Sequence, residues 1–125
     1  MMTTLLQVAL GGAIGASARF GVGVALVRAV GPGFPVAIIA VNIVGSFLMG
    51  AFVVLAAQKN LTHLSPFVMT GILGGFTTFS AFSLEAVTLW ERGDLGQAAL
   101  YVTLSVVGSL MALFAGIWIM RSLLT

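Results

Sequence analysis

Charged side chains are scarce in this chain. Only 6% of its 125 residues are charged, whereas a soluble domain typically has about a quarter. Apolar residues make up 60% of the chain, and the mean hydropathy is +1.20. A soluble fold with this composition has too few charges to cover its surface, so the composition indicates an integral membrane protein. The net charge of +2 is also too small for a surface that binds nucleic acid.

Groups that carry covalent or metal chemistry are equally rare. There is no Cys, which excludes disulfides and thiolate metal sites. The one His, His63, is predicted to lie in a loop, and neither a zinc-protease motif nor a cluster of carboxylates is present. These features argue against an enzyme. A proton-coupled exporter needs a carboxylate inside the bundle, and Glu85 is the only candidate.

Long apolar segments dominate the sequence instead. A membrane-spanning helix needs about 20 mostly apolar residues, and four segments qualify: residues 4–30, 35–57, 64–90 and 95–120. Short polar connections join them. The pattern predicts an all-α integral membrane protein with a single four-helix transmembrane domain over residues 1–125.

The basic residues in the connections and at the ends of the spans favour neither orientation in the membrane. Lys59 and Arg121 fall on one side, and Arg28 and Arg92 fall on the other, whereas cytoplasmic loops normally hold an excess of Lys and Arg. Either so few charges are uninformative, or the chain inserts in both directions and pairs antiparallel. Small residues in the first two spans permit close helix approach in lipid and favour oligomerisation.

Two polar side chains stand out inside the first two spans. Asn42 lies in the middle of the second span, where its amide either bonds a neighbouring helix or directs donors at an anion. Arg19 lies in the first span. It either reaches the nearer interface, pairs with Glu85, or attracts anions to a vestibule. The residues alone leave these alternatives open.

The third span is predicted to contain a break. Its Gly74–Gly75 pair costs roughly 2 kcal/mol relative to alanines, and the hydroxyl residues that follow compete for backbone hydrogen bonds. A broken helix offers carbonyl groups to cations and N–H groups to anions; a continuous helix with glycine packing faces is the alternative. Phe79 and Phe82 share a helix face and serve either packing or, through their electropositive ring edges, an anion path.

The fourth span carries a stripe of hydroxyl groups. Tyr101, Ser105 and Ser109 are spaced four residues apart and so lie on one helix face. Such a stripe either lines a pore or bonds neighbouring helices.

Together these features resemble the Fluc (CrcB) family of bacterial fluoride channels. The resemblance covers essentially the whole chain. Its most specific stretch is residues 74–85, with sequence GGFTTFSAFSLE, and it is supported by residues 11–19 and 42–47. The family often has Thr between its two Phe-Ser pairs, where this chain has Ala81, so one hydroxyl near the path is missing.

The resemblance implies a function and an assembly. It implies passive export of fluoride, and hence fluoride resistance, through two pores of an antiparallel, dual-topology homodimer in the lipid of the bacterial inner membrane. It also implies a structural Na⁺ on the dimer axis, bound by backbone carbonyls of Gly74 and Thr77 from both chains, and a vestibule with Arg19. The implied fluoride path is lined by Asn42, Phe79, Ser80, Phe82, Tyr101, Ser105 and Ser109. The alternative is a small proton-coupled multidrug exporter, which is also a four-helix, dual-topology protein.

Overall fold

The computed structural model describes all 125 residues, and nearly all of them are helical. Four helical regions are long and apolar enough to cross a membrane. They are α1 (Met2–Val30), α2 (Val36–Lys59), the third span (Thr62–Glu91) and α5 (Leu95–Leu124). The chain is therefore a multi-pass, four-helix membrane protein, as its composition predicts.

The observed helices extend past the predicted spans, because the predicted bounds follow apolarity rather than helicity. Polar residues continue the helix at the end of α2, which reaches Lys59, and at the end of α5, which runs past Arg121. Each connection includes one residue with positive φ: Gly31, Asn60 or Gly93. Such residues commonly end helices.

The third span is not one continuous helix. After a 3₁₀ turn it consists of a π-helical segment (Pro66–Leu73), a single turn α3 (Gly74–Phe76) and the helix α4 (Ser80–Glu91). Between α3 and α4 the backbone is extended at Thr77, with φ −87° and ψ 161°. The interruption, called here the break, comprises residues 77–79 and lies just after the Gly-Gly pair. The π-helical segment has no counterpart in the sequence-based prediction.

The helices pack as two main pairs, and glycines form both contacts. α1 lies along the π-helical segment and α3, while α2 lies along α5. A methyl group at Gly15 would collide with the carbonyl oxygen of Ile72, and one at Gly75 would lie 2.8 Å from the carbonyl oxygen of Gly12. At the second contact, Gly50 and Gly116 leave equally little room. Small residues at such crossings let backbones approach closely in lipid.

The first glycine contact gives a testable consequence. Gly15→Ala should lower the thermal unfolding midpoint in detergent, because overpacking a tight contact costs about 1–3 kcal/mol. The matched control is Gly21→Ala in the same helix, where an added methyl meets nothing within 4 Å. The control should be neutral or stabilising, because alanine favours a helix by about 1 kcal/mol over glycine. Equal midpoints for the two variants, measured by circular dichroism, would contradict this packing.

Candidate functional site

Asn42 replaces two backbone partners at the break. In a continuous helix each amide donates to the carbonyl four residues earlier, so Thr78 would donate to Gly74. Instead the Thr78 N–H donates to Asn42 Oδ1 at 2.8 Å, and Asn42 Nδ2 donates to the Thr78 carbonyl at 2.9 Å. The second bond takes the place of the amide of Phe82. This reciprocal pair releases the Gly74 carbonyl and the Phe82 N–H from helical hydrogen bonding.

The side chain of Thr78 likewise takes the place of a backbone hydrogen-bond partner. Its Oγ1 accepts the amide of Ala81 at 3.1 Å, which in a continuous helix would donate to Thr77. The carbonyl oxygens of Thr77 and Gly74 accept no hydrogen bond. The break therefore leaves two free carbonyl groups three residues apart.

Arg19 replaces a third helical hydrogen-bond partner. Its Nε donates to the carbonyl oxygen of Gly75 at 3.1 Å, whose helical donor would be the amide of Phe79. Phe79 lies across the break, and its N–H donates no hydrogen bond. Glu85, the ion-pair partner considered for Arg19 from the sequence, instead accepts a hydrogen bond from the Tyr101 hydroxyl at 2.8 Å.

A groove of about 520 Å³ opens beside the break. The groove brings together seven of the residues singled out from the sequence: Asn42, Gly74, Thr77, Phe79, Phe82, Ser105 and Ser109. Three others lie outside its lining: Arg19, Ser80 and Tyr101. Additional lining comes from Gly45, Ser46, Met49 and Thr78, and from three apolar residues of α5. Of these, Thr78 belongs to the hydroxyl run that predicts the break.

The aromatic rings form a stack that runs inward from the groove. The Phe79 ring is 76% exposed, whereas Phe82 is 8% exposed, and their centroids are 5.4 Å apart. Phe82 stacks on Tyr101 at 5.5 Å, and Phe34 meets Tyr101 edge-on at 5.8 Å. Tyr101 is fully buried, and its hydroxyl donates a hydrogen bond to the carboxylate of Glu85. Phe34 was missed from the sequence because it lies in a connection outside the spans.

Ser105 carries a hydroxyl group with no partner. The residue is 4% exposed and lines the groove, and its Oγ makes no hydrogen bond within the chain. Most buried polar side chains have a partner. An uncommitted hydroxyl at this position is therefore available to a group that enters the groove.

A second cavity of about 520 Å³ lies between α1 and α2. Its lining includes Arg19, which is half-buried, Arg28, which is exposed, and the carboxylate of Glu85. Its remaining walls are mainly apolar. Two guanidinium groups against one carboxylate give this cavity an excess of positive charge.

The reciprocal pair of Asn42 predicts a local effect on the backbone. In Asn42→Ala, both the N–H and the carbonyl of Thr78 lose a partner, and each unsatisfied group costs about 1–3 kcal/mol. Hydrogen exchange at the Thr78 amide should become faster, as measured by NMR or mass spectrometry. Asn60→Gly is the control, because it keeps a residue that tolerates positive φ at the end of α2 and should leave Thr78 unaffected. Unchanged protection of Thr78 in Asn42→Ala would show that the pair does not form.

Sequence comparisons identify close relatives of the chain. Residues 6–117 match the family described as CrcB-like protein, Camphor Resistance (CrcB). A protein of Ruegeria sp. (strain TM1040) is 68% identical over 126 residues, covering 100% of both chains. One from Roseobacter denitrificans is 62% identical, covering 96% of this chain and 97% of the relative. One from Cereibacter sphaeroides is 60% identical, covering 97% of each. All three relatives are named fluoride-specific ion channel FluC.

Proposed function

The chain belongs to the CrcB-like family, and from this premise we propose that it is a fluoride-selective channel that lets fluoride leave the cytoplasm passively. Its relatives carry the name of a fluoride-specific channel over their full length. The single structural observation that carries the proposal is the groove beside the break. Uncommitted hydrogen-bond donors and aromatic rings meet there within an otherwise apolar chain.

The donors suit a small anion that has lost its water. The backbone N–H groups of Phe79, Ser80 and Phe82 make no hydrogen bond in the chain, and they begin α4. Free N–H groups at a helix N-terminus attract anions through direct hydrogen bonds and through the helix dipole. The Ser105 hydroxyl and the second N–H of the Asn42 amide are further donors at the groove.

The aromatic residues suit the same ion. The edge of an aromatic ring is electropositive, whereas its face is electronegative. Phe79 is exposed in the groove, with Phe82 behind it. We propose that Asn42, Phe79, Phe82, Ser105 and Ser109 line the fluoride path in the groove. Ser80 would contribute its backbone N–H, and Tyr101 would support Phe82 from behind.

We propose that a second copy of the chain closes the groove in an antiparallel homodimer with two pores. In the single chain the groove is open, and only 15 of 125 residues are buried. The balanced charges at the two membrane faces, Lys59 and Arg121 against Arg28 and Arg92, agree with insertion in both orientations. A two-fold dimer repeats each contact, so it would build two equivalent pores.

The residues at the break also fit the structural Na⁺ that the family implies. Gly74 and Thr77 have carbonyl oxygens without hydrogen bonds, and unwound backbone carbonyls are typical sodium ligands in membrane proteins. The same pair from both copies would supply four oxygen ligands. A cation held there would stabilise the break by neutralising the partial negative charge of these carbonyls.

The cavity with Arg19 and Arg28 is our candidate for the vestibule. Its excess of positive charge would raise the local concentration of anions at a pore entrance, since clefts with one sign of charge concentrate counter-ions.

An efflux assay tests the function directly. Purified protein in liposomes loaded with KF, with valinomycin present to carry K⁺, should release fluoride rapidly, and liposomes loaded with KCl should retain chloride. The fluoride rate should be the same with and without a proton gradient. Equal release of both anions would refute selectivity. Release of neither anion, together with proton-coupled drug transport that is lost in Glu85→Gln, would favour the multidrug-exporter alternative.

The aromatic assignment makes a specific prediction. Phe79→Ile and Phe82→Ile should each lower fluoride efflux about twofold to tenfold, because an aromatic edge contact is worth about 0.5–1.5 kcal/mol. Size-exclusion profiles should stay unchanged. Phe114→Ile is the control, because this exposed ring on α5 lies outside the groove. Wild-type efflux in both test variants would show that these two rings do not line the fluoride path.

Dual topology can be tested because the chain contains no Cys. In a Lys59→Cys variant, a membrane-impermeant maleimide added to intact cells should label about half of the protein, since an antiparallel pair places its two copies in opposite orientations. Permeabilised cells should show complete labelling. Complete labelling, or none, in intact cells would mean a single orientation.

A further inference from the structure

Arg19 lies on the face of α1 that crosses the third span. It follows Gly11 and Gly15 at intervals of four residues, so the three share one helix face. Both glycines are buried, and a methyl group on either would collide with the backbone of the third span. This close approach carries the Arg19 side chain to the carbonyl of Gly75, at the last turn before the break.

From this geometry we infer that Arg19 is a positioning residue for the break. Its Nε occupies the Gly75 carbonyl in place of the Phe79 N–H. While that bond persists, the Gly75 carbonyl has a partner without the Phe79 N–H, which stays available at the groove. Arg19 thus contributes to fluoride conduction through one hydrogen bond to the backbone, in addition to the charge that it gives the proposed vestibule.

Three substitutions separate the hydrogen bond from the charge. In glutamine, the Nε2 donor stands the same number of bonds from Cα as Nε of arginine, but the side chain is neutral. In methionine, a methyl group stands at that position, with neither donor nor charge. In lysine, a methylene group stands there, and the charge is one atom farther along.

Fluoride efflux from liposomes then gives opposite rankings for the two roles. If Arg19 acts mainly through Gly75, Arg19→Gln should conduct much closer to the wild-type rate than the other two variants. Arg19→Met and Arg19→Lys should fall about tenfold, the size expected for loss of one hydrogen bond. If the charge matters instead, Arg19→Lys should conduct like wild type, and the Gln and Met variants should both fail. Arg121→Gln, at the exposed end of α5, controls for removal of a positive charge.

A spectroscopic measurement reports the bond without any ion flux. The sequence contains two Gly–Phe pairs, Gly33–Phe34 and Gly75–Phe76. Labelling glycine carbonyls with ¹³C and phenylalanine amides with ¹⁵N therefore selects two signals in an NMR spectrum. The Gly75 signal should keep its position in Arg19→Gln and shift in Arg19→Met and Arg19→Lys. The Gly33 signal should stay constant in all three.

The two measurements keep this inference separate from the proposed function, on which its flux readout rests. If wild type conducts no fluoride, the proposed function fails, and the Gly75 signal still decides the role of Arg19. A Gly75 signal that is unchanged in Arg19→Met would overturn the inference. So would wild-type flux in Arg19→Lys together with loss of flux in Arg19→Gln. If Arg19→Met does not fold, the Gln and Lys variants decide the question alone.

Discussion

A helix that is interrupted inside a bilayer must find new partners for its backbone groups, because lipid offers none. In the third span three side chains provide them: Arg19 from α1, Asn42 from α2 and Thr78 from the break itself. The glycine contacts that bring α1 against the third span place Arg19 within reach of it. The fold around the break is therefore organised by a few hydrogen bonds between side chain and backbone.

Each side chain that replaces a backbone partner also leaves another backbone group free for a ligand. Because Asn42 and Thr78 take the amides of Thr78 and Ala81, the carbonyls of Gly74 and Thr77 are left free. Because Arg19 and Asn42 occupy two carbonyls, the N–H groups of Phe79 and Phe82 are left free. A single break thus presents oxygen ligands suited to a cation and N–H donors suited to an anion. This coupling explains how the proposed sodium site and fluoride path can both arise at the break.

The sequence predicted the coarse features well, because they depend on local composition. Hydropathy alone located the four spans, and the glycines and hydroxyls of residues 74–83 predicted a break. The partners of polar side chains were not predictable in this way. Asn42 could equally have faced an anion or a helix, and it bonds the backbone of Thr78 only because α2 lies beside the break. The π-helical segment leaves no periodic signature in an apolar run, and the burial of Tyr101 depends on its packing against Phe34 and Phe82.

The central claim is selective passage of fluoride, and the reversal potential in a planar bilayer tests it most directly. With KF at different concentrations on the two sides and KCl added to one side, the current through the wild-type protein should reverse at the Nernst potential of fluoride. Changing the chloride concentration at fixed fluoride should leave that potential unmoved. A reversal potential that follows chloride or K⁺ would contradict the account.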